Sequence, residues 1–177
     1  MAAIDEKVGI DPLRLRGWAG RFLDAWNALD AEAVAALCTE DVLWTDPSAP
    51  EPFAGRDGVR EFVRLTAEAF PDLHIAEASP PVYMSGSSTV LSPYRMTGTM
   101  LGPMDVFSPT GRTVSVHGVD EWTFRGELLC GYRTYYDTID AARQLGIMPT
   151  SGSRAERLMS RLQHAQARIQ RRTARLH

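Results

Sequence analysis

The amino-acid sequence predicts an α+β fold in which helices come first and a sheet follows. Between residues 12 and 70, apolar side chains recur every three or four positions, as on one face of a helix. After Pro71, apolar and polar residues alternate, as in strands that bury one side. Short runs of Gly, Ser and Pro separate the alternating segments. Helices followed by strands are typical of α+β domains, and 177 residues can bury a core without disulfides.

Three helices are predicted before Pro71. Asp11 is expected to cap the first helix, with Pro12 in its first turn. The buried face of this helix is expected to carry the apolar side chains Leu15, Trp18, Phe22, Trp26 and Leu29. Asp30 begins a second, short helix, and Asp57 is predicted to cap a third helix that ends at Pro71.

The strands and one further helix complete the predicted domain. A short strand is expected at residues 42–45, followed by a Pro-rich loop at 47–56. The later strands are expected at residues 73–79, 81–84, 89–98, 113–124 and 128–136. A short helix at 138–145 follows them. We therefore assign residues 1–150 to one domain.

Residues 151–177 form a separate, Arg-rich segment that is predicted to be an amphipathic helix. From Arg154 to His177 the chain has seven Arg and one Glu, a charge of +6. Because the whole chain carries −3, the other 153 residues carry −9. A narrow apolar stripe runs along the helix at Leu158, Leu162, Ala165, Ile169 and Leu176. Such a stripe is not stable alone, so we expect it to pack on the body, on a second subunit or on an acidic partner.

Composition excludes several classes of protein and partner. The acidic body is not expected to bind nucleic acid, although the tail leaves room for an acidic partner. The longest apolar run, residues 33–38, is far too short to span a membrane, and Asp5 and Glu6 argue against a signal peptide. Cys38 and Cys130 have no metal-binding or CxxC spacing. We therefore expect a cytoplasmic protein without a membrane contact, a metal or a disulfide.

Three aspartates are the candidates for acid–base chemistry, since the sequence has no Ser-His-Asp pattern and no phosphate-binding loop. Asp120 falls on the apolar, aromatic face of its strand beside Trp122, where a carboxyl group must be paired, protonated or open to a cavity. Asp46 ends a strand, and either starts the Asp-Pro turn or serves as a base. Asp137 either caps the helix at 138–145 or takes part in catalysis.

The order and spacing of several segments resemble a known family. These segments are residues 26–30 (WNALD), 39–42 (TEDV), 46–47 (DP), 60–62 (REF), 109–112 (PTGR), 118–120 (GVD), 133–137 (RTYYD) and 143–149 (RQLGIMP). Over residues 12–149 the chain is similar to the ketosteroid isomerase and SnoaL-like polyketide cyclase branch of the nuclear transport factor 2-like superfamily. The resemblance implies a cone, in which a strongly curved antiparallel sheet wraps around the N-terminal helices and encloses an apolar pocket. It also implies a small hydrophobic ligand, a homodimer and no cofactor.

The resemblance also implies roles for individual residues. In the isomerases, the Asp of the Asp-Pro element is the base, and Asp46 matches it. The protonated Asp of the oxyanion hole corresponds to Asp120, while Phe22 stands where those enzymes have a tyrosine. In the SnoaL-like cyclases the base lies on the last strand, where Asp137 matches. Because Phe22 lacks the hydroxyl, we expect Asp137 to be the base.

The leading functional hypothesis is a cofactor-independent lyase or isomerase that acts on a small apolar carbonyl compound, such as a polyketide or steroid. The residues expected to line or orient the substrate are Tyr94, Arg95, Trp122, Phe22, Trp44, Phe62 and Tyr135. A binding module without catalysis is the main alternative, since one fold hosts both functions. Epoxide hydrolysis of the limonene-epoxide-hydrolase type is a weaker alternative, because Arg95 fits that family but Thr97 replaces its acid.

Overall fold

The computed structural model describes residues 12–83 and 88–173 of the chain. Within them the helices are α1 (Pro12–Asn27), α2 (Ala31–Ala36), α3 (Gly55–Ala69), α4 (Thr138–Gln144) and α5 (Arg154–Thr173). The strands are β1 (Cys38–Thr45), β2 (Phe53–Ala54), β3 (His74–Glu77), β4 (Val82–Tyr83), β5 (Thr89–Thr99), β6 (Thr113–Arg125) and β7 (Leu128–Tyr136). The predicted α+β class is confirmed.

One curved sheet joins the strands in the order β2-β1-β7-β6-β5-β3, with β4 paired to β5. β5 and β6 pair over their whole shared length, from Thr89↔Thr123 to Thr99↔Thr113. The register shifts after Thr123 on β6, where a bulge increases local bending of the strand. Among the described strands β1 and β7 run parallel. This pair departs from the antiparallel sheet that the resemblance implies.

The hydrophobic core lies between α1 and the concave side of the sheet. Leu15, Trp18, Phe22 and Trp26 are buried, as the helical spacing predicts. Trp18 stacks on Phe22 with ring centroids 5.0 Å apart, and it meets Phe124 of β6 edge to face at 4.8 Å. Each large ring buries on the order of 150–250 Å², so this row of aromatic side chains holds the first helix inside the sheet.

The helix starts were predicted with mixed success. Asp30 caps α2 as expected, because its Oδ1 accepts hydrogen bonds from the backbone N–H groups of Glu32 and Ala33. The cap predicted at Asp57 is wrong, since α3 already begins at Gly55, whose φ of +71° turns the chain from β2 into the helix. Asp57 lies in the first turn instead. The cap predicted at Asp11 lies outside the described residues.

Helix α5 extends from the body and is attached to it through its first turn. Arg143 of α4 donates to Glu156 at 3.1 Å, and the backbone N–H of Gly152 donates to the same carboxylate at 2.5 Å. From Arg157 to Gln166 every side chain is exposed. None of the helices in the described parts of the chain has the length and apolar character needed to cross a membrane. The domain division at residue 150 stays a prediction.

Candidate functional site

A buried carboxyl group, Asp120, lies on the inner face of β6. The inner positions of that strand, from Val114 to Phe124, are mostly buried and alternate with less buried ones, and Asp120 is only 5% exposed. The hydroxyl of Tyr132 on β7 donates to its Oδ1 at 2.8 Å. Thr134 on β7 is its direct partner in the sheet. The sheet therefore surrounds one titratable group with apolar walls and hydroxyl donors.

This environment shifts the protonation of Asp120. Burial removes water from the carboxylate and raises the pKa of Asp120 to about 7. Polar groups of Thr134, Tyr132 and Trp122 lower the pKa, whereas the negative charge of Asp46 raises it further. Below pH about 7 the side chain is therefore a neutral carboxylic acid, which can donate a hydrogen bond.

A tyrosine on the neighbouring strand extends this polar group. The hydroxyl oxygen of Tyr94 on β5 lies 2.8 Å from Oγ1 of Thr134. Burial and the negative charge of Asp120 both raise the pKa of Tyr94, so its phenol stays protonated. The ring of Tyr94 occupies space above Gly118, its partner on β6. Tyr94, Thr134, Asp120 and Tyr132 thus form one cluster across three strands.

A second carboxylate, Asp46, follows the end of β1 and faces this cluster. It is half-buried, and its Oδ1 accepts from the hydroxyl of Ser48 at 2.6 Å and from the backbone N–H of Ser48 at 2.8 Å. The hydroxyl of Tyr136 on β7 donates to the same oxygen at 3.2 Å. Burial and the charge of Asp46 together raise the pKa of Tyr136. One neutral acid and one more accessible carboxylate are therefore held near each other.

Aromatic rings fill the interior next to the cluster. Tyr132 stacks on Trp44 with ring centroids 3.7 Å apart and planes 13° apart. Phe22 lies 5.3 Å from Trp122 and 6.2 Å from Tyr132, centroid to centroid. Two open clefts among the described residues lie elsewhere, one of about 240 Å³ on the outer side of the sheet and one of about 380 Å³ beside α5. These ring contacts fill the part of the interior around Tyr132 and Trp44.

Several buried indole groups have unused hydrogen-bonding capacity. No acceptor among the described residues lies within hydrogen-bond distance of the indole N–H groups of Trp18, Trp26 and Trp44. A buried donor without a partner costs about 1–3 kcal/mol. An incoming molecule with acceptor oxygens would recover part of that free energy, whereas a pure hydrocarbon would not.

The family of the chain follows from its sequence over most of the body. The family model of the SnoaL-like domain matches residues 19–132, which is well over half of the 177 residues. The chain belongs to the SnoaL-like family. A comparison with curated proteins finds no match.

Solved structures share the fold of this SnoaL-like domain at low sequence identity. TsrD from Streptomyces laurentii has a TM-score of 0.67 and 21% identity over 78% of this chain and 98% of its own. A candidate SnoaL-like polyketide cyclase from Jannaschia sp. CCS1 has a TM-score of 0.65 and 16% identity over 84% of this chain and 100% of its own. A nuclear transport factor 2-like protein from Burkholderia xenovorans LB400 has a TM-score of 0.58 and 22% identity over 77% of this chain and 99% of its own. These likenesses confirm the cone-shaped fold.

The SnoaL-like domain brings most of the expected lining residues to the interior. These are Tyr94, Trp122, Phe22, Trp44 and Phe62. The prediction that Arg95 and Tyr135 line the interior is wrong, since both side chains are exposed on the outer face of the sheet. Arg95 Nε donates to Ser115 at 3.3 Å, and the Tyr135 hydroxyl donates to Glu121 at 3.0 Å. The alternation of β5 and β7 directs them away from Asp120.

Asp137 takes the position of a helix cap in the SnoaL-like domain. It precedes α4, is exposed, and its Oδ1 accepts from the backbone N–H of Asp140 at 2.9 Å. It follows β7 in the outward series of Arg133 and Tyr135. The geometry favours the capping interpretation, and catalysis by Asp137 stays a prediction.

Sequence reasoning missed four polar members of the site: Tyr132, Thr134, Tyr136 and Ser48. The first three lie on alternate positions of β7, all on the inner face. The segment that resembles the cyclases points to the other series of the same strand, which leads through Tyr135 to Asp137. The pairing of Asp120 with Thr134 supplies the missing signal, because it fixes which β7 side chains face the carboxyl group.

The close approach of Tyr94 to Gly118 gives a first testable prediction. A Cβ at position 118 would lie 2.5 Å from the Tyr94 hydroxyl oxygen, so Gly118→Ala must displace the ring and its bond to Thr134. We expect the free energy of unfolding to fall by about 1–3 kcal/mol, as measured by urea denaturation. The matched control is Gly20→Ala in α1, where nothing lies within 4 Å of the added atom. That change should be neutral or slightly stabilising, and equal stability of both variants would contradict the proposed crowding.

Proposed function

We propose that this SnoaL-like domain is a cofactor-independent acid–base enzyme, a cyclase or isomerase, for a small apolar carbonyl compound such as a polyketide or steroid. One observation carries the proposal: Asp120 is buried, with its pKa raised to about 7, beside tyrosine hydroxyls and the second carboxylate, Asp46. Two carboxyl groups in such different environments suit one to act as a base and the other as a donor. The similarity to a candidate polyketide cyclase supports the same class of substrate.

In the proposed reaction Asp46 is the general base. Its carboxylate takes a proton from the carbon next to the substrate carbonyl, and the electron pair of that C–H bond moves to form an enolate. The negative charge develops on the carbonyl oxygen. The neutral acid of Asp120 and the phenol of Tyr94 are placed to donate hydrogen bonds to it. Return of the proton to another carbon gives an isomer. Alternatively, attack of the enolate carbon on a second carbonyl closes a ring, the π electrons of that carbonyl move to its oxygen, and the proton held by Asp46 returns to this alkoxide.

The strand tyrosines replace a donor that the first helix lacks. Phe22 has no hydroxyl, and its ring packs against Trp18 and Trp122. Tyr132 instead brings its phenol to Asp120 from β7, and Tyr94 of β5 brings a second phenol to Thr134, the partner of Asp120 in the sheet. Since the Tyr132 hydroxyl already donates to Asp120, we assign it to holding the carboxyl group and Tyr94 to the substrate oxygen.

A binding module without turnover is the second candidate function. The observation that favours it is the filled interior, in which Trp44, Tyr132 and Phe22 pack ring against ring. The orphaned indole N–H groups would then hold the oxygens of a ligand rather than those of a reacting substrate. Epoxide hydrolysis is not proposed, because Arg95 lies on the outer face of the sheet.

Proton exchange into carbonyl compounds tests the proposed function without knowledge of the product. The protein is incubated in D₂O with a panel of cyclic ketones and 1,3-diketones, and NMR follows the loss of the C–H signal beside the carbonyl. We expect exchange above the buffer rate, and we expect it to fall as the pH rises through about 7, since ionised Asp120 no longer donates. Tight binding without any exchange would favour the binding module. Exchange that does not fall through that pH range would contradict the role of Asp120.

A further inference from the structure

Helix α5 presents an apolar and cationic surface that the body of the same chain leaves uncovered. Leu158 and Leu162 lie one turn apart and are 58% and 63% exposed. Arg157 and Arg161 flank them, also exposed, and form no ion pair with any described carboxylate. Ile169 and Leu176 continue the apolar stripe in the sequence. A surface of this kind is typical of a helix that docks on a partner.

A surface of opposite charge lies on the body, between the end of α3 and the loop that joins β5 to β6. The backbone N–H of Leu101 donates to the carbonyl of Ala69, which places the loop against Glu68. Met104 and Phe107 exchange two backbone hydrogen bonds across a tight turn whose tip is Asp105 and Val106.

This acidic patch combines exposed apolar and carboxylate groups. Its exposed apolar side chains are Leu101, Val106 and Phe107, at 57%, 79% and 42%. Its carboxylates are Glu68, Asp72 and Asp105, and none of them pairs with a cation among the described residues. Hydrogen bonds from Thr99 lower the pKa of Asp72, so that carboxylate stays charged at neutral pH.

We propose that α5 of one copy docks on the acidic patch of a second copy, so that two copies exchange their helices in a closed dimer. Each chain carries both surfaces, and the contact is reciprocal under a two-fold axis, which closes the assembly. This inference goes beyond the proposed function, because it does not involve the interior of the cone.

Charge favours the body of a second copy over a second tail and over an anionic membrane. The tail carries +6 and the remaining residues carry −9. Pairing of two tails with each other would bring +6 against +6. An anionic membrane would attract the tail but repel the acidic body. Contact of the tail with the body of another copy brings opposite charges together at both ends of the exchange.

Charge reversal with a compensating change tests the proposal on the full chain. The tail variant is Arg157→Glu with Arg161→Glu, and the patch variant is Glu68→Arg with Asp105→Asn. Asn is used at 105 because that residue has a φ of +51°, which Asn tolerates well. The matched control is Arg16→Glu with Arg21→Glu, two exposed arginines of α1. Sedimentation velocity measures the dimer dissociation constant, and circular dichroism checks the fold of each variant.

We expect a dimer that weakens as salt is raised from about 0.05 M to about 1 M, where the Debye length falls to about 3 Å. The tail variant and the patch variant should each weaken dimerisation at least about 10-fold, and their combination should recover part of that loss. The control should match the wild type. A wild type that stays monomeric at low salt, a dimer that responds to the tail variant but not to the patch variant, or a monomer that binds vesicles of anionic lipid would each overturn the proposal.

Discussion

The change Asp46→Asn is expected to lower the rate of carbonyl-directed proton exchange by roughly 10²–10⁴-fold, because the amide keeps the size of the side chain but cannot take a proton. That loss corresponds to about 3–5 kcal/mol of activation free energy. The geometry behind it is the half-buried carboxylate held by Ser48 and Tyr136 at the edge of the Asp120 cluster. The rate is measured by NMR in D₂O with the best substrate of the panel. Ligand affinity is measured in parallel, so that a loss of binding is not mistaken for a loss of chemistry.

The matched control for Asp46→Asn is Asp137→Asn. Asn caps helices as well as Asp does, so the bond to the backbone of Asp140 and the start of α4 should survive. We expect an exchange rate close to that of the wild type. A large loss at Asp137 with none at Asp46 would instead identify Asp137 as the base, as the resemblance to the cyclases implies. Equal rates in all three proteins would mean that neither carboxylate takes the proton.

The sequence predicts structure best where the pattern lies within a single helix or strand. Alternation along β6 placed Asp120 among buried aromatic side chains, because a strand with one apolar face fixes the direction of every side chain. The buried face of the first helix could be predicted equally well, since Trp18, Phe22 and Trp26 recur at helical spacing and are all buried. The start of α3 could not be predicted from the local sequence. Gly55 rather than Asp57 turns the chain into the helix, and that turn depends on the pairing of β2 with β1.

The composition of the site depends on pairing between distant strands, which no local pattern reveals. Tyr132 reaches Asp120 only because β7 is set in one register beside β6. A shift of one residue would exchange the inner and outer series of β7 and bring Tyr135 inward. The proposed docking surface for the apolar stripe of α5 cannot be predicted from the sequence for the same reason, because it is formed by segments that are distant in the chain. The stripe itself can be read from the sequence, whereas the patch at Glu68 and Val106 arises from a loop folded against α3.

The stability of the protein is expected to depend on pH through Asp120. In the folded state the pKa of this carboxyl group is raised to about 7, whereas in the unfolded chain it is about 3.9. Between these values the folded state holds one more proton than the unfolded state. The free energy of unfolding should therefore fall by about 1.4 kcal/mol per pH unit as the pH rises from about 4 to about 7, and level off above that. Asp120→Asn keeps an acceptor for Tyr132 but cannot ionise, so it should lack this contribution.

The measurement is urea denaturation of the wild type and of Asp120→Asn at several values between about pH 5 and about pH 8. The free energy of unfolding of the variant should rise relative to that of the wild type as the pH rises, by a total of a few kcal/mol. Asp72→Asn is the control of opposite sign. Hydrogen bonds from Thr99 lower the pKa of Asp72, so its contribution is lost only as the pH falls below the ordinary range of an aspartate and stays constant in this window. A constant difference between wild type and Asp120→Asn would mean that Asp120 is already ionised in the folded protein, and it could not then serve as the neutral donor.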